Sequence, residues 1–498
     1  MRRDALHMEQ FGAQWLRLVF LVAIGIAACS NSVTRDLGDS RSSGDVALGD
    51  FGHGDGDSQN ASGDVALGDF GHGDGDAEHA NGDSSVGDNG PRVAVLDTAQ
   101  VLSTNGSTRA TAYDASNKIV RVNDKLFAAW LDHPSEVYIA ELDLAEHVWS
   151  SSVFVGSGTD DHGGPALAAD GNGYLHILFG PHHGPLQYRR SVLPLDASQW
   201  GPTTTFATNA TYPAAVIDAA DTLHVVYRGG RIQWCLSYQR LPAGGSWSTP
   251  LELANPGTDV GYSQYGANIV VDQEGTLHLG FHIYDTAVGH TRGHALGYLY
   301  STNNGVTWKN SAGTAMALPV TPASSCFFVQ TPTCDFRVGN LVLGPDGTPW
   351  ISTINLENYE VRLWHLVDGS WSSMEVSPWL QPDLGDRLLV GSRFTFDGTG
   401  RLYVLVEVAD ADFGTWYGDP SAETFLLTSV DQGSTFVAQI ITVPDPAIAN
   451  WNANIERPFG PQPLAGPPSF IYSHGLKTTS ATTEPTGFEV RYHQIDWQ

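Results

Sequence analysis

The chain has 498 residues, of which 41% are hydrophobic and 10% aromatic, so it can bury a large core and is not disordered throughout. It carries 54 acidic and 25 basic side chains, and a formal net charge of −29 repels the phosphate backbone of nucleic acids. Nucleic acid is therefore not an expected partner, and an anionic ligand would need a local basic patch.

The first predicted element is an export signal. Basic residues precede an apolar run at 18–28 that is too short to span a bilayer as a permanent helix. The run ends in Ile-Ala-Ala-Cys, which resembles the bacterial lipobox, where cleavage leaves the cysteine as a lipidated N-terminus. We therefore predict a lipoprotein signal peptide at 1–29 with Cys29 lipidated, and simple secretion is the alternative. A lipid anchor would hold the protein at the bacterial cell envelope, in an oxidising space.

Residues 30–92 are rich in Gly, Asp and Ser and repeat the unit Ser-Gly-Asp-Val-Ala-Leu-Gly-Asp-Phe-Gly-His-Gly at 43–54 and 62–73. Such a segment cannot offset its ordering entropy by burial. We predict a disordered tether between the anchor and the folded part. A calcium-binding β-roll is the alternative, but the nonapeptide period of such repeats is absent.

From residue 93 onward, short runs of Val, Ile, Leu and aromatic residues alternate with turns, and helical periodicity is nowhere sustained. A strand-turn-strand pattern recurs seven times, with equivalent positions at 126, 175, 223, 277, 349, 402 and 470. A single four-stranded sheet cannot bury both of its faces, so the repeats must stack radially. We predict that residues 93–498 form an all-β, seven-bladed β-propeller of four-stranded antiparallel blades, which is expected to be a monomer.

Two segments, 301–308 and 429–436, fit the Asp-box hairpin Ser-x-Asp-x-Gly-x-Thr-aromatic, with Asn303 replacing Asp in the first. In this hairpin the polar side chain and the Gly close the turn, and the aromatic residue packs inward. The pattern is typical of propellers and carries no chemistry.

Three cysteines follow position 29, and an odd number leaves at least one without a partner in the chain. Cys326 and Cys334 are close enough in sequence for a disulfide across one loop, which leaves Cys235. A buried inert thiol is the commoner outcome for such a residue.

A structural zinc site is a second use for this cysteine, because thiolates and imidazoles are preferred zinc ligands. Suitable side chains lie in neighbouring predicted blades: Cys235, His278, His290 and His294. Their spacing is irregular, so a buried thiol with surface imidazoles is the alternative.

Histidines fall into two groups when compared with the repeat. His176, His224 and His278 follow the repeat leucine at the same position of each blade, so we expect them to be structural. By contrast, three histidines lie outside the repeat, in Gly- and Pro-rich segments where strands meet loops: His162, His182 and His183. Such segments carry the functional sites of ring-shaped folds. These imidazoles, with Tyr212 and Arg228, are the candidate site.

Four segments resemble the BNR-repeat propeller family that includes the ulvan lyases. They are Asp-Asp-His with its Pro-Ala-Leu continuation at 160–167, the block at 180–191 ending in Tyr-Arg-Arg-Ser, Thr-Tyr-Pro at 211–213 with Tyr-Arg at 227–228, and the stretch 299–321. The similarity covers roughly residues 110–325. One departure is His282, which stands where the resemblance implies an aromatic residue.

The resemblance implies that two histidines, a tyrosine and an arginine act together: His162, His182 or His183, Tyr212 and Arg228. The histidine doublet is ambiguous, because counting back from Pro185 favours the first histidine and a spacing one residue longer selects the second.

The activity implied is that of a polysaccharide lyase cleaving an anionic, sulfated, ulvan-like polysaccharide by β-elimination beside a uronic acid. Arg228 would neutralise the carboxylate. A histidine would remove the C5 proton, and Tyr212 or the other histidine would protonate the O4 leaving group. No cofactor is needed for this chemistry. Further side chains would contact the substrate: Tyr188, Arg189, Arg190 and Arg231.

Two other functions stay open. A sialidase-like glycoside hydrolase shares the Asp boxes, but the Arg-Ile-Pro motif of those enzymes is absent from this sequence. A non-catalytic carbohydrate-binding or adhesion propeller would have the same fold, because a fold does not imply an activity.

Overall fold

The computed structural model describes residues 94–230, 234–257, 263–285, 293–330, 336–380, 384–411, 418–442, 444–476 and 488–497. At 263–265, 284–285 and 293–294 the description covers the backbone alone. The predicted signal peptide, Cys29 and the predicted tether lie outside these residues. The chain divides into residues 1–48 and 49–498, and all of the structure below belongs to the second unit. In the part of the chain that is described, no helix has the length and apolar character needed to cross a membrane.

The described residues form 29 β-strands, one short 3₁₀ helix at Ser377–Trp379 and no α-helix, which confirms the predicted all-β class. The first fourteen strands are β1 (Ala94–Leu96), β2 (Gln100–Gly106), β3 (Ile119–Val122), β4 (Lys125–Asp132), β5 (Glu136–Asp143), β6 (Val148–Trp149), β7 (Val153–Ser157), β8 (Ala166–Ala169), β9 (Leu175–Phe179), β10 (Gly184–Arg190), β11 (Thr204–Ile217), β12 (Leu223–Gly229), β13 (Cys235–Leu241) and β14 (Leu251–Ala254). The others are β15 (Ser263–Val271), β16 (Leu277–Asp285), β17 (Gly293–Ser301), β18 (Phe327–Gln330), β19 (Phe336–Leu343), β20 (Pro349–Asn355), β21 (Glu360–Val367), β22 (Ser370–Glu375), β23 (Leu388–Phe396), β24 (Leu402–Ala409), β25 (Glu423–Ser429), β26 (Val437–Ile440), β27 (Ala449–Ile455), β28 (Ser469–Gly475) and β29 (Phe488–Trp497).

The strands pair antiparallel, and in three cases a unit of four strands is a separate sheet. Three separate sheets contain β15–β18, β19–β22 and β23–β26, each hydrogen-bonded in chain order. A seven-stranded sheet runs from β8 to β14, and a ten-stranded sheet combines β1–β7 with β27–β29. In the latter, β29 pairs with β28, β1 and β2, so the last strand is bonded to the first two.

The core lies between neighbouring sheets. One apolar cluster includes Phe281 and Trp308, and another includes Phe394 and Phe425. Strands between two such layers are buried on both faces, so they have nearly continuous apolar sequences, as at 402–409. The first strands of successive units pack in order, from β3 against β8 through β11, β15, β19 and β23 to β27. The first strands therefore form a continuous packed series.

The repeated histidines are structural, as predicted. In one sheet, Asp218 Oδ1 accepts the backbone N–H groups of Ala220 and Thr222, and its Oδ2 lies 3.1 Å from His224 Nε2. His224 Nδ1 lies 2.7 Å from the hydroxyl of Tyr238. The same chain of contacts recurs at Asp170–His176–Tyr188, elsewhere in the same seven-stranded sheet, and at Asp272–His278–Tyr298 in the sheet of β15–β18. Each chain fastens a turn to the strand that carries the tyrosine, which is β10, β13 or β17.

Both Asp-box hairpins form. Asn303 Oδ1 accepts the backbone N–H of Thr307 at 2.9 Å, and Asp431 Oδ1 accepts that of Thr435 at 2.8 Å. The amide oxygen of Asn303 thus replaces a carboxylate oxygen without loss of the turn bond. Trp308 is fully buried.

Residues 107–118, between β2 and β3, form a crossing segment that reaches several first strands. Its Asp114 pairs with Arg393 of β23, and its carbonyl oxygen accepts hydrogen bonds from Arg457 at 2.6 Å and Asn268 of β15 at 3.3 Å. The amide of Asn454 in β27 donates to the carbonyl of Tyr113 at 3.3 Å. The crossing segment is thus bonded to the first strands of three units, β15, β23 and β27.

Arg393 also pairs with Glu407 of β24 at 3.0 Å; Arg393 and Glu407 are buried, and Asp114 is partly buried. Burial raises the pKa of Glu407 to about 7, although Arg393 opposes the shift.

This shift predicts a pH dependence of stability. Because the folded-state pKa of Glu407 lies above its ordinary value, the folded chain holds this proton more tightly, and the stabilisation is present at low pH and lost as pH rises towards 7. Between about pH 5 and about pH 8, the free energy of unfolding should fall by roughly 2–3 kcal/mol more in the wild type than in Glu407→Gln. Urea denaturation at both pH values measures this difference. An equal decrease in the wild type and in Glu407→Gln would contradict the assignment. The control is Glu489→Gln, at a partly exposed ion pair with Arg491.

Candidate functional site

The predicted histidines, tyrosine and arginine meet at one end of the strands. The loop before β8 carries His162, and His182 and His183 follow the end of β9. Arg228 is the penultimate residue of β12, beside Thr211 of β11 in the register. The structure brings these side chains together with residues of the crossing segment.

Tyr212 is positioned by a bend in β11. The first half of this strand pairs with β10, the second half pairs with β12, and the register shifts between Thr211 and Ala214. Tyr212 lies at this shift with a φ of 56°, in the left-handed region that a bulky residue rarely adopts. Its ring packs edge-on against Tyr113 of the crossing segment, with centroids 4.7 Å apart.

The three imidazoles form a row. The rings of His162 and His182 stack with centroids 3.9 Å apart, and those of His182 and His183 with centroids 4.3 Å apart. His183 also contacts Trp234, at 4.6 Å between ring centroids. The sequence left His182 and His183 as alternatives, and the structure places both of them in the cluster.

Asp160 lies between the first two imidazoles. Its Oδ1 accepts the backbone N–H of His162 at 2.8 Å and lies 3.0 Å from Nδ1 of the same residue. Its Oδ2 lies 2.5 Å from Nδ1 of His182. Burial acts to raise the pKa of Asp160, but the hydrogen bonds from both histidines outweigh it and hold the pKa well below its usual range. The carboxylate is therefore ionised at neutral pH.

Arg228 is fully buried beside the row. Its guanidinium carbon lies 4.9 Å from the ring centroid of Tyr212 and 4.7 Å from that of Trp234. Its Nη2 donates to Thr211 Oγ1 at 3.2 Å and lies 3.4 Å from Nδ1 of His183. A guanidinium can bind the carboxylate of a ligand, and here an imidazole that can carry a proton would lie next to that carboxylate.

The crossing segment adds residues that sequence reasoning missed. Arg109 Nη1 lies 2.9 Å from Asp161 Oδ1 and 2.7 Å from His162 Nε2. Thr108 Oγ1 donates to Asp161 Oδ2 at 3.1 Å. Burial acts to raise the pKa of Asp161, but hydrogen bonding from His162 and the charge of Arg109 lower it. The sequence around 107–113 has no motif that would have identified Arg109 or Tyr113.

The predicted substrate contacts at Tyr188, Arg189 and Arg190 are not supported, because their polar groups are bonded elsewhere. The Tyr188 hydroxyl lies 2.8 Å from Nδ1 of the structural His176. Arg189 donates to the carbonyls of Gly201 and Trp200, and Arg190 pairs with Asp170 at 2.8 Å. Arg231 lies outside the described residues.

The predicted zinc ligands receive no support from the residues that are described. Both ring nitrogens of His278 are engaged by Tyr298 and Asp272, which leaves no lone pair for a metal. Cys235 is buried, lies 3.3 Å from Ser237 Oγ, and burial raises its pKa to about 11. His290 and the side chain of His294 lie outside the described part. Zinc at this set stays a prediction.

Cys326 and His282 differ from what the sequence led us to expect. Cys326 is a free, buried thiol, so the expected disulfide with Cys334, which itself lies outside the described residues, is wrong. His282 is fully buried and its Nδ1 accepts the backbone N–H of Val338 at 3.1 Å, so it packs inside the fold.

One group among the described side chains has the composition and spacing of a metal site. Asp160, His162 and His182 each offer a ligand atom, and these atoms lie within 4.8 Å of one another. The same carboxylate and imidazole atoms are within hydrogen-bonding distance of each other, so their proximity has an explanation that needs no ion.

Comparison with known proteins gives the following matches. A model described as a BNR repeat-containing family member matches residues 125–379. A polysaccharide lyase of family PL25, an ulvan lyase, has a TM-score of 0.62 at 18% identity over 78% of this chain and 94% of its own. The PL25 ulvan lyase bound to -[GlcA(1-4)Rha3S]- gives 0.61 at 17% identity over 78% and 94% of the two chains. Polysaccharide lyase Uly1 gives 0.55 at 12% identity over 80% and 99%. No curated protein matches. The β-propeller fold of this chain thus resembles that of the ulvan lyases.

Proposed function

The chain belongs to the BNR repeat-containing family, and from this we propose that it is a polysaccharide lyase acting on an anionic polysaccharide that contains uronic acid. One observation carries the proposal: a buried guanidinium, three imidazoles and a buried tyrosine converge at one end of the strands. The fold similarity to ulvan lyases, one of them bound to a glucuronate-containing fragment, supports a sulfated, ulvan-like polymer as the substrate.

We also propose that the four-stranded units are seven blades of one closed propeller. Seven first strands pack in succession from β3 to β27. The pairing of β29 with β28 and β2 completes the last unit with a strand from the start of the fold. The candidate site then lies on one face, between the second and third blades and the crossing segment.

The chemistry begins at the uronate carboxylate. The C5 hydrogen is only weakly acidic, because its removal places negative charge on the adjacent carboxylate. A guanidinium that binds the carboxylate bidentately stabilises that charge. Arg228 has this role in the proposal, held between the rings of Tyr212 and Trp234.

Two proton transfers complete the elimination. An imidazole of the row accepts the C5 proton, the electron pair of that bond forms the C4–C5 double bond, and the C4–O4 bond breaks. Tyr212 or a second imidazole donates a proton to O4 of the leaving sugar. The ring centroids of Tyr212 and His162 lie 6.2 Å apart, so an acid and a base can act at neighbouring atoms of one sugar. No metal or cofactor takes part.

An acidic protein needs local cations to bind an anionic polymer. Arg109 and Arg228 supply two at the site, where the sequence had pointed to Arg189 and Arg190. We further propose that the enzyme is a monomer anchored through Cys29 in the bacterial cell envelope, or otherwise secreted, where it meets extracellular polysaccharide.

Product formation tests the proposal directly. The unsaturated uronate absorbs ultraviolet light, so incubation with ulvan should give a steady rise in absorbance. Arg228→Met should lower kcat/KM by about 10²–10³, because it removes the charge that stabilises the intermediate. Arg190→Met is the control and should keep its activity, since Arg190 pairs with Asp170 away from the site. Binding of ulvan without any absorbance rise would instead identify a carbohydrate-binding propeller.

Metal removal gives a second test. Because a guanidinium supplies the positive charge, the rate should survive dialysis against a chelator, with folding followed by circular dichroism. Loss of activity in a folded, chelated sample, with recovery on adding Zn²⁺, would show that Asp160, His162 and His182 hold a catalytic ion and would refute the metal-free mechanism.

A further inference from the structure

A single carboxylate contacts two imidazoles of the row through equivalent atoms. Asp160 Oδ1 lies 3.0 Å from Nδ1 of His162, and Oδ2 lies 2.5 Å from Nδ1 of His182. The Asp160 side chain is 40% exposed, whereas those of His162 and His182 are 9% and 13% exposed. The two rings therefore have their orientation fixed from one side by the same group.

An ionised carboxylate only accepts hydrogen bonds, so a ring nitrogen beside it must carry the proton. A neutral imidazole has one N–H, and protonation at Nδ1 leaves the lone pair on Nε2. Both rings are thereby assigned the same tautomer.

A second carboxylate gives independent support at His162. Asp161 Oδ1 lies 3.1 Å from Nδ1 of this ring, so both acidic neighbours require a proton on Nδ1. Arg109 Nη1 lies 2.7 Å from Nε2 and 3.1 Å from Nδ1, so it lies over the face of the ring and does not select a tautomer.

We infer that Asp160 is a positioning residue, which holds His162 and His182 as Nδ1–H tautomers and so makes Nε2 the basic nitrogen of each ring. The catalytic consequence rests on the proposed lyase function. The tautomer assignment itself does not depend on it.

The substitution Asp160→Asn would disturb one ring selectively. The backbone N–H of His162 donates to Oδ1 at 2.8 Å, so the oxygen of the new amide is favoured on that side and its NH₂ group faces His182. A donor beside Nδ1 of His182 forces its proton to Nε2. His162 keeps its tautomer, and His182 loses its basic Nε2.

The experiment measures tautomers by long-range ¹H–¹⁵N correlation on full-length protein containing ¹⁵N-histidine. Signals are assigned with His162→Gln and His182→Gln. The wild type should show both rings as Nδ1–H tautomers, and Asp160→Asn should convert His182 alone. Asp161→Asn is the matched control, because Asp161 contacts His162 and Arg109, and it should leave the His182 tautomer unchanged.

Kinetics on ulvan provide the second readout. In Asp160→Asn, kcat should fall by about 10²–10⁴ while KM changes little, because binding groups are intact and one proton carrier is in the wrong tautomer. An Nε2–H tautomer of either ring in the wild type, or no change of His182 in Asp160→Asn, would overturn the inference. Conversion of His182 with kcat unchanged would overturn the catalytic consequence. The absence of product with wild-type enzyme would refute the lyase proposal and leave the tautomer result standing.

Discussion

The candidate site depends on the buried ion pair between Asp114 and Arg393. This pair fixes the crossing segment, residues 107–118, at the strand ends, and the segment places Arg109 and Tyr113 against the histidine row. Burying charges is costly unless each is paired, and removal of one partner leaves the other uncompensated. The ion pair therefore holds the segment in one position, and this fixes where Arg109 and Tyr113 lie in the site.

The site combines rigid strands with strained positions. Tyr212 and His183 both have φ values in the left-handed region, at 56° and 62°. Strain of this kind persists only where the surrounding structure holds it, and it is found disproportionately at functional sites. Here the antiparallel pairing of β11 with both β10 and β12 holds the bend, so the ring of Tyr212 stays beside Tyr113 and Arg228.

Sequence reasoning located the local features well. The repeat spacing predicted the all-β fold, and the separation of His162, His182 and His183 from the repeat singled out the residues that cluster. Sequence reasoning failed where contacts join distant parts of the chain. Arg109 contacts Asp161, which lies 52 positions away, and no sequence motif indicates that the two residues interact. It also assigned Arg189 and Arg190 to substrate from their charge, although backbone carbonyls and Asp170 hold their guanidinium groups. Residue type indicates what a side chain can bind, and only the fold decides which partner it meets.

The bonding of β29 to β1 and β2 has a consequence for biogenesis. The N-terminal strands lack this partner until the last ten described residues have been synthesised, and most contacts of such a sheet join distant positions, which makes folding slow. A partly made chain thus lacks the strand that completes its first sheet until synthesis is nearly finished. A protease that removed β29 from the finished molecule would open the sheet at the seam where its two ends meet.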